Sequence, residues 1–273
     1  MVEAAALWPF ALALVAAGIV AGTVAGLLGV GGGIVIVPVL YHVFSALDVD
    51  PAVLMHLAVG TSLATIVPTA IVSARAHRRR GAVDAALLRA WAPGLIVGVV
   101  AGGLAAGPLK GAVLTAVFAV IALAVAAHMA FVSADFRVAP SPPGGPGRHV
   151  LSFLIGGFSA LMGIGGGTLS VPVLTALGTP IHRAVGTAAA IGIVIAVPGT
   201  AAFIYGGLGV AGRPPASLGY VSLIGFALIV PATMLTAPLG ARLAHWLAVA
   251  GLKRAFAAFL ALTSARMFWD ILG

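Results

Sequence analysis

Charged residues and cysteines are scarce in this chain of 273 residues. Cysteine is absent altogether, which excludes disulfides, thiolate metal sites and cysteine nucleophiles. Only 7% of the residues are charged, whereas about 25% are charged in soluble domains. With 62% hydrophobic residues, the chain has more apolar surface than a soluble core of this size can bury. The composition therefore predicts a polytopic membrane protein.

The few cations are concentrated in one part of the sequence. No lysine or arginine precedes Arg75, and five arginines then fall between residues 75 and 89. In membrane proteins a short loop rich in cations is typically cytoplasmic. The net charge of +8 therefore indicates contact with anionic lipid head groups rather than with nucleic acid. The arginines expected to contact lipids are Arg75, Arg78, Arg79 and Arg80.

Turn residues and charges divide the chain into ten apolar segments, and each is expected to be helical. Most approach the roughly 20 residues that a bilayer core requires, and shorter ones flank two glycine-rich stretches. Residues 133–149, rich in proline and glycine, are expected to be a cytoplasmic linker. This predicts an all-α protein with a first transmembrane repeat at 1–132 and a second at 150–273. The predicted segments are 8–28, 34–47, 51–74, 90–106, 110–132, 150–163, 168–177, 183–205, 217–239 and 247–272.

The two halves are related in sequence, which predicts a duplicated architecture. Residues 29–33 read GVGGG and residues 163–167 read GIGGG, and each block is followed by VPVL. The next segments begin HLAVGTSLAT from His56 and HRAVGTAAAI from His182. Several matched blocks in the same order are hard to attribute to shared composition alone.

The cations also predict how the two repeats are oriented. The second repeat's counterpart of the arginine-rich loop carries Arg213 alone, and the next loop, from Arg242 to Arg254, regains three cations. This alternation fits an odd number of membrane crossings in each repeat. We therefore expect two inverted repeats, with both termini extracytoplasmic.

The glycine blocks predict breaks in two membrane helices, because consecutive glycines strongly disfavour a continuous helix. Backbone N–H groups at such a break are tolerated in a bilayer only where protein or a wet cavity satisfies them. They suit an anion, which the positive end of a following half-helix would also attract. The alternative is that these glycines only let helices pack closely. The glycines predicted to hold an anion are Gly31, Gly32, Gly33, Gly165, Gly166 and Gly167.

A phosphate-binding or dinucleotide-binding loop is a third interpretation of the glycines, and the sequence argues against it. No Gly-Lys-Ser or Gly-Lys-Thr follows either block. The acidic residue expected about 20 positions on has only Asp48 and Asp50 as candidates, both in the first repeat.

Hydroxyls and one cation beside the AVGT blocks are further candidates for the anion site. Thr61, Ser62 and Thr187 have hydroxyls that can donate to an anion's oxygens, although such side chains often bond the preceding helical turn. Arg183 falls where a helix of the second repeat should begin. It either neutralises an anion or extends to a lipid head group.

Proton coupling has few candidate residues. His56 and His182 occupy matched positions and could each carry a proton, or they are helix-start residues with no such role. The predicted spans offer almost no carboxylates, because Asp48, Asp50, Asp84 and Asp135 fall in loops. Arg266 and Asp270 are spaced as an ion pair one helical turn apart.

The paired motifs resemble those of the TauE/SafE sulfite exporter family. GLLGVGGGIVIVPVL matches ALMGIGGGTLSVPVL, each is followed by an AVGT segment, and the resemblance covers nearly the whole chain. It implies an inverted duplication that transports sulfite, sulfonates or related sulfur-containing anions across the prokaryotic plasma membrane. The repeats differ in one respect, since Thr61-Ser62 corresponds to Thr187-Ala188. A hydroxyl pair would therefore serve the substrate from one repeat only.

These observations together predict a secondary transporter working by alternating access, without cofactor or metal and with an oligomer possible. Proteins of this type commonly bind substrate near mid-membrane between their repeats. An anion pore built on the same breaks is one alternative. An intramembrane enzyme is another, although the chain has no HExxH or GxSxG motif.

Overall fold

The computed structural model describes residues 4–29, 31–132, 136–243 and 249–272, and it is built almost entirely of helices. Ten helices occur in this part of the chain, as predicted. A short antiparallel hairpin, β1 (Ser217–Leu218) and β2 (Val221–Ser222), lies between the eighth and ninth. Residues 133–135 of the linker, including Asp135, and the start of the tenth predicted segment, residues 247–248, lie outside the described residues. The helices are α1 (Ala4–Leu28), α2 (Gly33–Ala46), α3 (Pro51–Arg78), α4 (Ala85–Ala106), α5 (Gly111–Phe131), α6 (Gly145–Met162), α7 (Gly167–Ala176), α8 (Ile181–Gly207), α9 (Leu223–Leu243) and α10 (Val249–Leu272).

Helix length and surface character both indicate a membrane protein. Six helices, α1, α3, α4, α5, α8 and α9, are long and apolar enough to cross a bilayer. Large apolar side chains stand on the outer surface, among them Trp8, Leu235, Leu262 and Trp269, each at least 68% exposed. Soluble proteins rarely expose apolar surface on this scale. The helices α2 and α7 have only 14 and 10 residues, too few to span a bilayer.

Two aspartates begin helices on opposite ends of the bundle. The side chain of Asp50 accepts a hydrogen bond from Ala52 N–H (2.8 Å), and Pro51 occupies the first position of α3. The side chain of Asp84 accepts from the N–H groups of Ala86 and Leu87 (3.1 and 3.0 Å) at the start of α4. Both carboxylates thus act as helix caps, in keeping with their predicted positions in loops.

Several helix boundaries differ from the sequence prediction by four residues or more, among them the start of α4 at Ala85 rather than 90, which Asp84 caps. Three others also have identifiable reasons. α3 continues beyond residue 74 to Arg78, because Arg75 and Arg78 in its last turn complement the negative end of the helix dipole. α6 begins at Gly145 rather than 150, with proline favouring its first turn. α9 begins at Leu223 rather than 217, because residues 217–222 form the hairpin.

The two halves have inverted orientations, as predicted. α3 and α8 are the helices that carry the matched AVGT blocks, and they pack against each other. Leu63 contacts Gly199, whereas Ala70, further along α3, contacts Gly192, which comes earlier in α8. The two related helices therefore run antiparallel, so one repeat is upside down relative to the other.

Helix pairs are exchanged between the repeats. α1 of the first repeat packs along α9 of the second, and α6 of the second repeat packs along α4 of the first. Glycines allow both close approaches, since a Cβ on Gly22 or Gly26 would overlap the α9 backbone. A Cβ on Gly98 or Gly102 would likewise overlap the α6 backbone. Each repeat thus completes the packing of the other. The two glycine blocks contact each other where the repeats meet.

Candidate functional site

The two glycine blocks break their helices and touch each other. α1 ends at Leu28 and α2 begins at Gly33, while α6 ends at Met162 and α7 begins at Gly167. A Cβ placed on Gly31 would lie 3.0 Å from the Cα of Gly165. A Cβ on Gly33 would overlap the carbonyl oxygen of Gly163. Only glycine permits the two backbones to lie this close.

The breaks lie about halfway across the protein. Gly31 and Gly33 are both neighbours of the Ile66 side chain, and Ile66 is near the middle of the 28-residue helix α3. The short helices α2 and α7 start at this level. The N-terminus of each, which carries the positive end of the helix dipole, is therefore at the breaks.

The two breaks have different backbone conformations. Gly31 and Gly32 have φ angles of 74° and 75°, in the left-handed region that favours glycine. In the second break Gly163 has a φ of 65°, but Gly166, the counterpart of Gly32, has a φ of −48°. The breaks are related in sequence without being superposable.

Several backbone N–H groups at the breaks are without acceptors. Helical bonding resumes in α2 only where Val35 donates to the Gly32 carbonyl (3.0 Å). In α7 it resumes where Thr168 donates to the Gly165 carbonyl (3.4 Å) and Ser170 to the Gly166 carbonyl (2.7 Å). A buried backbone N–H group without an acceptor costs free energy. The buried glycines whose N–H groups have no acceptor among the described residues are Gly31, Gly32, Gly33, Gly165, Gly166 and Gly167.

Ser62 links α3 directly to the second break. Its hydroxyl is fully buried and donates to the carbonyl oxygen of Gly163 at 2.7 Å. Ser62 is among the residues predicted for the site, and it contacts Gly163 in the second break. Because Ala188 stands at the equivalent position in α8, this contact exists in one repeat only.

The AVGT threonines make matching hydrogen bonds between the repeats. Thr61 accepts the N–H of Ser222, the residue before α9, at 2.8 Å. Thr187 accepts the N–H of Asp84, the residue before α4, at 2.9 Å. Both hydroxyls thus hold the start of a helix, while each still has a proton to donate. Their contact with an anion stays a prediction.

Arg183 pairs with a carboxylate in the structure. Its guanidinium lies 2.8 Å from the carboxylate of Asp84, and the two side chains are 55% and 22% exposed. An ion pair this exposed contributes little to stability, but the Asp84 carboxylate does neutralise the charge of Arg183. A role for Arg183 toward an anion stays a prediction. The predicted pair of Arg266 and Asp270 is also formed, at 3.3 Å.

The two matched histidines occupy different environments. His56 is buried, its Nε2 donates to the carbonyl oxygen of Ala106 (3.0 Å), and its ring stacks on Tyr220 of the hairpin. Burial raises the pKa of the Tyr220 hydroxyl above its ordinary value, while the nearby Arg213 opposes the shift. His182 is exposed in the first turn of α8. Proton coupling by either histidine stays a prediction.

Two hydroxyls near the second break were missed by sequence analysis. Ser170 follows Gly166 by one helical turn, and Ser159 accepts the N–H of Ile164 through its carbonyl. Both side chains are fully buried, and neither Oγ has a hydrogen-bond partner in the described structure. The sequence does distinguish Ser170, because the equivalent position of the first repeat has the apolar residue Ile36.

The fold and the site together define a class of protein. Inverted repeats whose helices are broken near mid-depth, with short helices beginning at the breaks, are an architecture found in membrane transporters.

Comparison with known proteins agrees with this class of protein. The chain belongs to the TauE/SafE sulfite exporter family, whose model matches residues 14–267, so the resemblance inferred from the glycine motifs is confirmed. It is 36% identical over 262 residues to a probable membrane transporter protein of Haemophilus influenzae, covering 96% of this chain and 99% of that protein. A probable membrane transporter protein of Bacillus subtilis is 28% identical over 186 residues, covering 60% of this chain and 67% of the other. No solved structure gives a significant match.

Replacing Thr61 by valine tests whether its hydroxyl stabilises the fold. Valine keeps the shape but leaves the buried Ser222 N–H without an acceptor, which costs about 1–3 kcal/mol. We expect Thr61→Val to lower the free energy of unfolding by this amount in detergent titrations, and Thr61→Ser to restore most of it. Wild-type stability in Thr61→Val would contradict the structural role.

Proposed function

We propose that this protein is a secondary carrier of sulfite or a related small sulfur-containing anion, including organosulfonates. The observation that carries the proposal is the set of buried glycine N–H groups at the two touching breaks that have no acceptor among the described residues. An oxyanion has several acceptor oxygens and can take several such donors at once. The dipoles of α2 and α7 add to the attraction. Membership of a sulfite exporter family supports the choice of anion.

The chemistry of the donors favours binding over catalysis. Backbone N–H groups and hydroxyls hold an anion without reacting with it. The buried His56 bonds a backbone carbonyl and stacks on Tyr220, so it is not arranged as a general base for a serine or threonine. An enzyme is therefore the weaker alternative.

The packing of the repeats supports alternating access. The exchanged pairs α1–α9 and α4–α6 form two bodies of parallel helices, each containing one helix from either repeat. Rocking of these bodies about the antiparallel α3–α8 pair would expose the breaks to one side and then to the other. An anion pore would need both sides open together, so saturable counter-transport in liposomes distinguishes the two mechanisms.

We place the protein in the prokaryotic plasma membrane with its cation-rich loops in the cytoplasm. Those loops share one face, because Val138 of the linker donates to the carbonyl of Ala176 (2.7 Å) and Arg183 pairs with Asp84 beside the arginine loop. Short cation-rich loops are retained inside, which puts both termini outside. Arg75, Arg78, Arg79 and Arg80 are exposed on this face and suit anionic lipid head groups.

The orientation has a simple test, because the natural chain contains no cysteine. Arg79→Cys and Ala211→Cys each introduce one exposed thiol, on opposite faces. A membrane-impermeant maleimide should label Ala211→Cys in intact cells, and Arg79→Cys only after permeabilisation. The reverse pattern would overturn the assignment.

The substrate is tested on purified protein with sulfite, thiosulfate, sulfate, sulfoacetate and taurine. We expect sulfite or a sulfonate to bind and to be counter-transported in proteoliposomes. Gly32→Leu and Gly166→Leu should abolish both, because a leucine fills the break.

Ser170→Ala tests the site without altering its shape. Loss of a hydrogen bond to a charged ligand is worth about 1.5–3 kcal/mol, so affinity should fall by about tenfold to a hundredfold. Ser264→Ala is the matched control, since the Ser264 Oγ on α10 is also buried without a partner. Equal affinities of the two variants, or normal transport by the leucine variants, would overturn the glycine site.

A further inference from the structure

A row of polar side chains winds along α3 at intervals of four residues. Successive members lie above one another on a helix, in a row inclined to the helix axis, and the row extends over about 24 Å at 1.5 Å per residue. Each is at most 3% exposed. The members of the row are Thr61, Thr65, Thr69, Ser73 and His77.

The row connects the glycine breaks with the arginine-rich face. At one end Ser62, the neighbour of Thr61, bonds the Gly163 carbonyl in the second break. At the other end His77 precedes the exposed Arg78 in the last turn of α3. Between these ends α3 contains no carboxylate, so nothing on this helix repels an anion.

The row faces the seam between α1 and α9. Thr69 lies 2.7 Å from the Thr233 hydroxyl of α9, and Nε2 of His77 lies 3.2 Å from the Gly26 carbonyl of α1. α1 and α9 pack closely through glycine, as described above. The row is therefore covered by a helix pair that belongs to one moving body in alternating access.

Bonding within α3 does not explain the row. Thr65 does donate to a carbonyl of its own helix, a common use of hydroxyls in membrane helices. The Thr69 hydroxyl, however, has a single proton and two acceptors within hydrogen-bond distance, the Thr65 carbonyl oxygen (2.8 Å) and the Thr233 hydroxyl (2.7 Å). Ser73 is only 2% exposed, and its Oγ has no hydrogen-bond partner in the described structure. An unpaired buried hydroxyl is costly and calls for a water or a ligand.

The related helix of the other repeat lacks the row. Counting from the matched AVGT threonine, α8 has apolar residues or glycine at every equivalent position after Thr187. They are Ile191, Ile195, Gly199 and Phe203. The polar row is thus a property of one repeat and one side of the membrane, which a general requirement of helix packing would not produce.

We propose that this face of α3 is the wall of the water-filled path by which the anion moves between the glycine breaks and the cytoplasm. Separation of α3 from the α1–α9 pair opens the path. The hydroxyls offer the anion successive weak donors, and the exposed arginines at the mouth raise its local concentration. The inference rests on the proposed function, since it takes the breaks as the anion site.

Single cysteines test the path directly in a chain that has none of its own. Thr69→Cys and Ser73→Cys are nearly isosteric changes, and Thr65→Cys gives a third position. Ser264→Cys is the matched control, because Ser264 on α10 is also a fully buried serine whose Oγ has no partner in the described structure. The probe is a negatively charged thiosulfonate reagent added to the cytoplasmic face of oriented membrane vesicles.

Thiol modification depends on access. We therefore expect Thr69→Cys and Ser73→Cys to react at least about tenfold faster than Ser264→Cys, and bound sulfite to slow the reaction of Thr69→Cys. Rates equal to the control, or reaction only from the extracytoplasmic face, would overturn the path. Rapid reaction without protection by sulfite would support the path and overturn sulfite as its substrate.

Discussion

Backbone N–H groups inside a bilayer must find acceptors within the protein or in a ligand, and this structure is arranged around two places where the described residues offer them no acceptor. The breaks at residues 29–33 and 163–167 require glycine, because their backbones approach each other too closely for a side chain. They also require the surrounding helices to exclude lipid. The inverted repeats meet that need by exchanging helices, so that α1–α9 and α4–α6 stand around the breaks.

The two repeats share a framework but differ in chemistry. Thr61 and Thr187 hold the starts of α9 and α4 with the same kind of hydrogen bond, which is the mark of a common ancestor. Polar residues are then distributed unequally: α3 has the buried row, α8 does not, and the second break has Ser170 where the first has Ile36. The proposed anion site between the breaks therefore has different surroundings on its two sides.

Much of this could be predicted from the sequence. Composition, the repeated glycine blocks and the cation pattern predicted the membrane class, the ten helices and the inversion, since each depends on local pattern. Contacts between distant parts of the chain could not be predicted. The pairing of Arg183 with Asp84 depends on α8 running antiparallel to α3. Ser170 resembles any hydroxyl in an apolar helix until burial and the lack of a partner distinguish it.

The central claim, that glycine N–H groups at the breaks hold the anion, is tested most directly by NMR. Protein labelled with ¹⁵N at glycine, in lipid nanodiscs, is titrated with sulfite, and signals are assigned by single glycine substitutions. The account predicts downfield amide proton shifts for Gly31, Gly32, Gly33, Gly165, Gly166 and Gly167 that saturate with binding, because charge-assisted hydrogen bonds are short and strong. Saturable binding of sulfite that leaves these six signals unchanged would contradict it.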